Sequence, residues 1–274
     1  MSLTRRDMLK FGAGSLAAGL FLPSISFAAF KNIPLCLQLY TVKGVSDNPA
    51  KRMADVAAMG YKGVEYAGFG GYDAKALKKF QDDAGLFCTG SHTGRNLIED
   101  LEKLKATIEF HKGLGAKFII CPGMRNEGAD GWKKAGENFA KAAEIAEKAG
   151  LYVGYHAHQH DFDIVDKEKN LSSWEVFADA GGEKVVLQID LGHCVNKGAD
   201  PFKLIEKYPG RSKTVHLKES DGKIIGEGRV DWKRAFTLLE SVGGAETYTV
   251  EYEAGMDRME ASRLSAAAYY KIHG

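Results

Sequence analysis

The sequence predicts an α/β fold, a single (β/α)8 (TIM) barrel, on three observations. First, eight runs of β-forming residues alternate with eight helix-like segments over about 245 residues, the size of such a barrel. Second, one phrase recurs where a helix hands over to a strand: Met59-Gly60-Tyr61, Ala84-Gly85-Leu86, Leu114-Gly115-Ala116 and Ala149-Gly150-Leu151. Glycine belongs there because a helix often ends on a left-handed residue. Third, the last four strand runs end in metal-ligand or acid/base side chains, and parallel barrels gather their sites at the C-terminal ends of strands. An open doubly wound sheet fits less well, since no glycine-rich phosphate fingerprint follows the first strand. No linker divides the chain, so residues 29–274 read as one catalytic domain.

The elements follow in order. Strands are expected at 35–42, 63–69, 86–93, 117–123, 151–158, 185–193, 213–218 and 247–253. Helices are expected near 49–59, 73–84, 96–113, 130–149, 172–180, 201–208, 231–242 and 257–271. Asn48-Pro49 opens the first helix, with proline in its first turn. Asp73 caps the second. Leu97, Leu101, Leu104 and Ile108 give the third the apolar spacing of three and four, and Phe139, Ala142, Ala143 and Ala146 do the same for the fourth. Asp231 caps the seventh.

The first residues form a separate unit. Thr4-Arg5-Arg6-Asp7-Met8-Leu9-Lys10 precedes a mildly apolar stretch from Phe11 to Leu22, then Pro23 and a small-x-small site at Ser26-Phe27-Ala28. Residues 1–28 therefore read as an export signal with charged, apolar and cleavage regions. The arginine pair resembles the twin-arginine type, which implies a periplasmic protein exported in its folded state. Met8 stands where that signal type usually has a bulkier apolar residue. The whole chain carries a formal charge of +1. Removing the signal takes away three basic residues and one acidic residue, so the remainder stays near neutral. That balance lacks the basic footprint of a nucleic-acid-binding protein. Nothing in the body of the sequence is long and apolar enough to span a bilayer. Cys36, Cys88, Cys121 and Cys194 fall in strand runs without paired short spacing, and read as buried small hydrophobes.

Strand side chains alternate in direction. Val185, Leu187 and Ile189 share one face of strand six, which leaves Val186, Gln188 and Asp190 pointing into the barrel. By the same parity His156 and His158 of strand five, His216 and Lys218 of strand seven, and Glu251 and Glu253 of strand eight point inward. Glu65 shares a face with Gly63 at the end of strand two, and His92 ends strand three. Burying so many ionisable groups without partners is costly. A bound cation resolves the conflict. The most economical ligand set is His156, Asp190, His216 and Glu251, with His158 on the same face as His156 as the competing strand-five ligand. Two imidazoles and two carboxylates suit Mn²⁺, Zn²⁺, Co²⁺ or Fe²⁺ better than Ca²⁺.

The strings Gly63-Val64-Glu65, Tyr155-His156-Ala157-His158, Asp190-Leu191-Gly192-His193, Val215-His216-Leu217-Lys218, Gly226-Glu227-Gly228-Arg229-Val230-Asp231-Trp232 and Glu251 resemble those of the xylose-isomerase-like barrels, the sugar (phosphate) isomerases and epimerases that include inosose dehydratase. The resemblance covers essentially all of residues 29–274. It implies one divalent metal held from strands five to eight, with Asp190, His216 and Glu251 in the last three places. Epimerases of that family usually carry glutamate where this chain has His156. The His-x-His string is more similar to the dehydratase branch.

This reading implies a metal-dependent sugar isomerase or epimerase that removes a proton beside a carbonyl of an unphosphorylated keto-sugar. The alternatives are a β-eliminating lyase or dehydratase on 3-keto-glycosides or inosose-like substrates, and a non-catalytic sugar-binding barrel. Glu251 or His158 would take the proton, since imidazole titrates near neutrality. Lys218 would stabilise the oxyanion or donate a proton, unless it is simply paired with Glu251 or Glu253. Glu65, His92, His193 and Arg229 are the expected substrate-binding residues, although a loop histidine or a solvent-facing arginine has the same signature. Trp174 and Trp232 read as helix-packing residues.

Overall fold

The computed structural model describes residues 30–125 and 128–274. The export signal expected at 1–28 lies outside the described residues. The barrel strands are β1 (Leu35–Gln38), β2 (Gly63–Ala67), β3 (Phe87–His92), β4 (Phe118–Cys121), β5 (Tyr152–His156), β6 (Val186–Gln188), β7 (Thr214–Leu217) and β8 (Thr247–Val250). All pair in parallel, in the order β6-β5-β4-β3-β2-β1-β8-β7. A bridge between Asp190 and His216 brings the two ends of this order together. The expected barrel is the observed one.

Local chemistry explains the helix boundaries. Asn48 accepts from the Lys51 amide at 3.1 Å and opens the helix Pro49–Ala58. Asp73 and Asp231 cap Ala74–Asp83 and Trp232–Leu238 through the amides of Ala76 and Arg234. Gly115, at φ 70°, closes Leu101–Leu114 in the left-handed region, where a side chain would be strained. Among the described residues no helix is long and apolar enough to cross a membrane.

Four details differ from the sequence expectation. Strands are shorter, most of all β6, because Asp190 accepts from the His193 amide at 2.7 Å and starts the helix Leu191–Lys197 inside the run expected to be strand. Cys194 is thus helical; all four cysteines are buried and free. The third helical segment breaks at Asp100, whose extended backbone separates Arg95–Glu99 from Leu101–Leu114 and whose carboxylate caps the second piece. A short antiparallel ribbon, Ile164–Asp166 with Leu171–Ser172, follows β5. It is too short for its alternation to stand out in sequence.

Packing separates two apolar layers. Leu35, Leu37, Val64, Ile119, Val153, Tyr155, Leu187, Val215, Leu217, Tyr248 and Val250 face the helices in one large core. Inside the barrel Phe118, Ile120 and Val186, with Tyr152 against them, form a separate plug. Above that plug the inward positions are polar. Gly154 sits beside it because a Cβ there would lie 2.5 Å from the Val186 carbonyl oxygen and 2.8 Å from Ile120 Cδ1. Gly154→Ala is expected to cost about 1–3 kcal/mol, as overpacking does, read as a lower urea midpoint.

One buried histidine supports a pH test. His111 Nδ1 donates to the Thr107 carbonyl at 2.7 Å, so Nε2 accepts from Ser91 Oγ at 2.8 Å. Accepting at Nε2 requires the neutral ring, and burial, against the Thr107 bond that favours the charged form, drives its pKa down to about 4. Unfolded, the ring titrates near 6.5. The folded pKa is depressed, so this contribution to stability is complete above 6.5 and is lost as pH falls from 6.5 towards 4, at about 1.4 kcal/mol per pH unit. Urea midpoints of wild type and His111→Gln should converge over that interval as pH falls.

Candidate functional site

The alternation that places aliphatic residues against the helices places Gln38, Glu65, His92, His156, Gln188, His216 and Glu251 on the barrel axis, above the plug. Glu65 is the hub of this layer. Its carboxylate accepts from Gln38 Nε2 at 2.8 Å and Gln188 Nε2 at 2.8 Å, and lies 2.6 Å from His216 Nε2 and 3.4 Å from His92 Nε2. Burial would raise its pKa, but His92, His216 and Gln188 outweigh that and hold it low. His216 is clamped on its other side, with Nδ1 3.2 Å from Glu251 Oε2. Burial opposes its charge; Glu65 and Glu251 overcome that and push its pKa up to about 10.

Glu251 also accepts from Lys218 Nζ at 3.1 Å. Burial would raise its carboxyl pKa, and Lys218 and His216 instead hold it well below the usual range. Lys218 further pairs with Glu253 and lies 3.1 Å from His193 Nε2. Burial would lower the Lys218 pKa; Asp190, Glu251 and Glu253 outweigh it and raise it.

The remaining groups carry unused lone pairs. Both ring nitrogens of His156 and Asp190 Oδ2 are buried without a hydrogen-bond partner, as are His158 Nδ1 and His193 Nδ1. Burial holds His156 well below its ordinary pKa, His158 down to about 3 and His193 down to about 4, and raises Asp190 to about 6. His156, Asp190, His216 and Glu251 each offer a ligand atom within 4.8 Å of the others. His156, His158 and His193 form a second such group around the same ring, and His92, His156 and His216 a third. Half of this donor set is ready for a divalent cation, the His156 ring and Asp190 Oδ2 with unused lone pairs. His216 and Glu251 now face each other, and to ligate they would exchange that contact, and His216 its Nδ1 proton, for the ion.

Second-row residues fix this geometry. Asp161 accepts from the His158 amide at 2.7 Å and from Tyr155 Oη at 2.9 Å, which ties the end of β5 to the outer core. Gly192 allows the helix Leu191–Lys197 to approach β7 closely, since a Cβ there would lie 2.8 Å from the Lys218 carbonyl oxygen. That contact delivers His193 to Lys218. Glu219 accepts from the amides of Ser220, Gly226 and Val230 at 2.7, 3.1 and 3.2 Å and from Trp232 Nε1 at 2.7 Å. It pins the loop after β7.

The structure thus brings together Glu65, His92, His156, His158, Asp190, His193, His216, Lys218 and Glu251. It does not bring Arg229 into this group. The Arg229 guanidinium is exposed and pairs with Asp221 at 2.9 Å, with Asn196 Oδ1 at 3.1 Å. Trp174 is buried in the helix layer, and Trp232 serves Glu219. Sequence reasoning gave no role to Gln38, Asp161 or Glu219. Gln38 and Gln188 share the inward parity of their strands, a usable signal that uncharged amides obscure. Asp161 and Glu219 lie in loops and carry no periodic mark.

A profile of the xylose isomerase-like TIM barrel family matches residues 53–271. The chain belongs to the xylose isomerase-like TIM barrel family. Inosose dehydratase of Clostridium beijerinckii is 26% identical over 235 residues, covering 69% of this chain and 76% of that protein. A sugar phosphate isomerase/epimerase from Parabacteroides distasonis superposes with a TM-score of 0.77 at 29% identity, covering 91% of this chain and 96% of that one. A zinc-bound IOLI protein shares the fold at 15% identity, with a TM-score of 0.67 over 88% of this chain and 98% of that one. These relatives support a sugar isomerase/epimerase or a dehydratase.

Removing the loop anchor tests the frame. Glu219→Ala strands four donors; a stability loss of about 1–3 kcal/mol is expected, with faster amide exchange over residues 223–230 by mass spectrometry.

Proposed function

We propose that this protein is a divalent-metal-dependent sugar isomerase or epimerase acting on an unphosphorylated keto-sugar by removing a proton beside its carbonyl. The observation that carries the reading is the quartet His156, Asp190, His216 and Glu251, with His156 and Asp190 presenting buried, unpartnered ligand atoms. These four residues would hold the cation, with Mn²⁺, Zn²⁺ and Co²⁺ the fitting ions. When bound, such an ion supplies Lewis acidity towards a carbonyl oxygen.

The chain supplies the proton chemistry. His158 is the base on geometry: its Nδ1 is buried without a hydrogen-bond partner and free to accept. Burial lowers the ring's pKa to about 3, away from the near-neutral value expected from sequence, and makes it a weaker base than a free imidazole. Glu251 is the alternative acceptor, its carboxylate held ionised by Lys218 and His216. Lys218 keeps its proton and donates to oxygens at the rim; His193, joined to it, presents Nδ1 to a sugar hydroxyl. Glu65 and His92 close the opposite wall. Arg229 would reach substrate only by leaving Asp221. The unphosphorylated substrate follows from the export-signal reading of residues 1–28 and a periplasmic location, which a signal–reporter fusion in twin-arginine-deficient cells would test.

A second reading is favoured by the inosose dehydratase relatives and by His156 standing where epimerases of the family carry glutamate. The same proton removal followed by loss of a β-hydroxyl or β-alkoxyl group gives elimination. A non-catalytic barrel would leave the ionised, paired acid and the neutral bases without a task.

Metal-loaded protein incubated in D₂O with ketohexoses and with 3-keto-glucosides should introduce deuterium beside the carbonyl. Mass spectrometry of the recovered sugar and of any eliminated product separates the two readings, and neither label nor product from either set refutes both. His158→Gln should lower kcat by roughly 10²–10⁴-fold while elemental analysis still finds about one metal per chain. Full turnover by the His158→Gln variant would move the base role to Glu251.

A further inference from the structure

His92 does two things. Its Nε2 faces Glu65 and Gln188 in the polar layer, and its ring also lines a cavity of about 460 Å³ outside that layer. The cavity runs from the loop after β2 to the helices Arg95–Glu99 and Leu101–Leu114. Its walls are Phe69, Leu97, Ala106 and Phe110, with Lys103 at the edge. Phe69 and Phe110 pack ring against ring at 4.4 Å. The Lys103 ammonium is already paired with Asp100 at 2.7 Å. Leu97 is 37% exposed, unusual for a leucine beside so much apolar surface. The volume is that of a small-molecule site, and a free hexose has no apolar face extensive enough to use it.

We propose that this cavity seats the aromatic aglycone of a glycoside whose sugar ring lies on the histidine–carboxylate cluster. The substrate class is then an aryl glycoside rather than a free sugar. Adjacency carries the assignment: His92 borders both spaces, and Gly68, Phe69, Thr93 and Gly94 of the cavity follow the C-terminal ends of β2 and β3, the barrel face that bears the cluster. A molecule with a polar ring and an apolar ring joined by one glycosidic oxygen can therefore pass over His92 at that face and occupy both. Phe69, Phe110 and the His92 ring offer faces and edges to a flat group. The proposal rests on the sugar reading of the cluster, not on which reaction follows.

The test uses the full chain and 2-naphthyl, octyl and methyl β-glucosides, with affinity read by calorimetry. The naphthyl glycoside should bind at least about tenfold more tightly than the methyl glycoside, as burial of one ring system implies, and more tightly than the octyl glycoside. Leu97→Asp and Ala106→Asp, both at exposed positions, should erase the naphthyl advantage, while Lys203→Ala, exposed on the helix Pro201–Lys207 between β6 and β7, should keep it. Equal affinities, an advantage that survives both aspartates, or an octyl preference would overturn the assignment. So would a dimer in sedimentation that Leu97→Asp breaks, since a second copy would then cover the cavity. Deuterium labelling of the 3-keto forms separates the two proposals. A naphthyl preference without label removes the proton-transfer reading and keeps the cavity's occupant; label without preference does the reverse.

Discussion

One carboxylate holds the polar layer in place. Glu65 is fully buried, yet Gln38, Gln188 and His216 converge on it and His92 stands beside it. A buried ion is tolerated only when its lone pairs are filled by well-placed donors. Here the donors come from β1, β6 and β7, strands on different sides of the barrel. The constraint acts both ways. Glu65 can be ionised because those strands are in register, and the register is fixed because a slip of one residue would turn every one of these side chains outward.

From that hub the histidines divide into two electrostatic kinds. His216 lies between two carboxylates and is charged. His156, His158 and His193 lie among cations and apolar walls and are neutral, with free lone pairs. Residue type alone does not separate them. The division depends on which carboxylates each ring can reach, and that is set by strand order around the axis. Environments that push like groups apart in acidity are a mark of sites built for proton transfer.

The fold was legible because its signals are local and repeated. Asn48, Asp73 and Asp231 cap helices as their sequence context implies, and Gly60, Gly85, Gly115 and Gly150 all take positive φ. Inward parity also carried over on β5 to β8, since alternation follows from strand geometry alone. What escaped was set by tertiary contact. The helix Leu191–Lys197 begins inside a β-forming run because Asp190 turns back to cap it, and Gly192 permits its approach to β7. Arg229 sits among glycines and acids in the loop after β7, but its partner Asp221 holds it at the surface. Buried acceptors in loops, Asp161 and Glu219, have no periodicity for a sequence reading to detect.

Strand β5 joins the two halves of the molecule's chemistry. Its outward residue Tyr155 packs on Trp132, Trp174 and Phe177, and the same phenol donates to Asp161, which in turn holds the His158 amide. The wall behind the barrel is therefore mechanically geared to the imidazole in front of it. Lineages that vary Trp174 or Phe177 would be retuning His158 from behind, so neutral drift in the helix layer has a direct line to chemistry that it never touches.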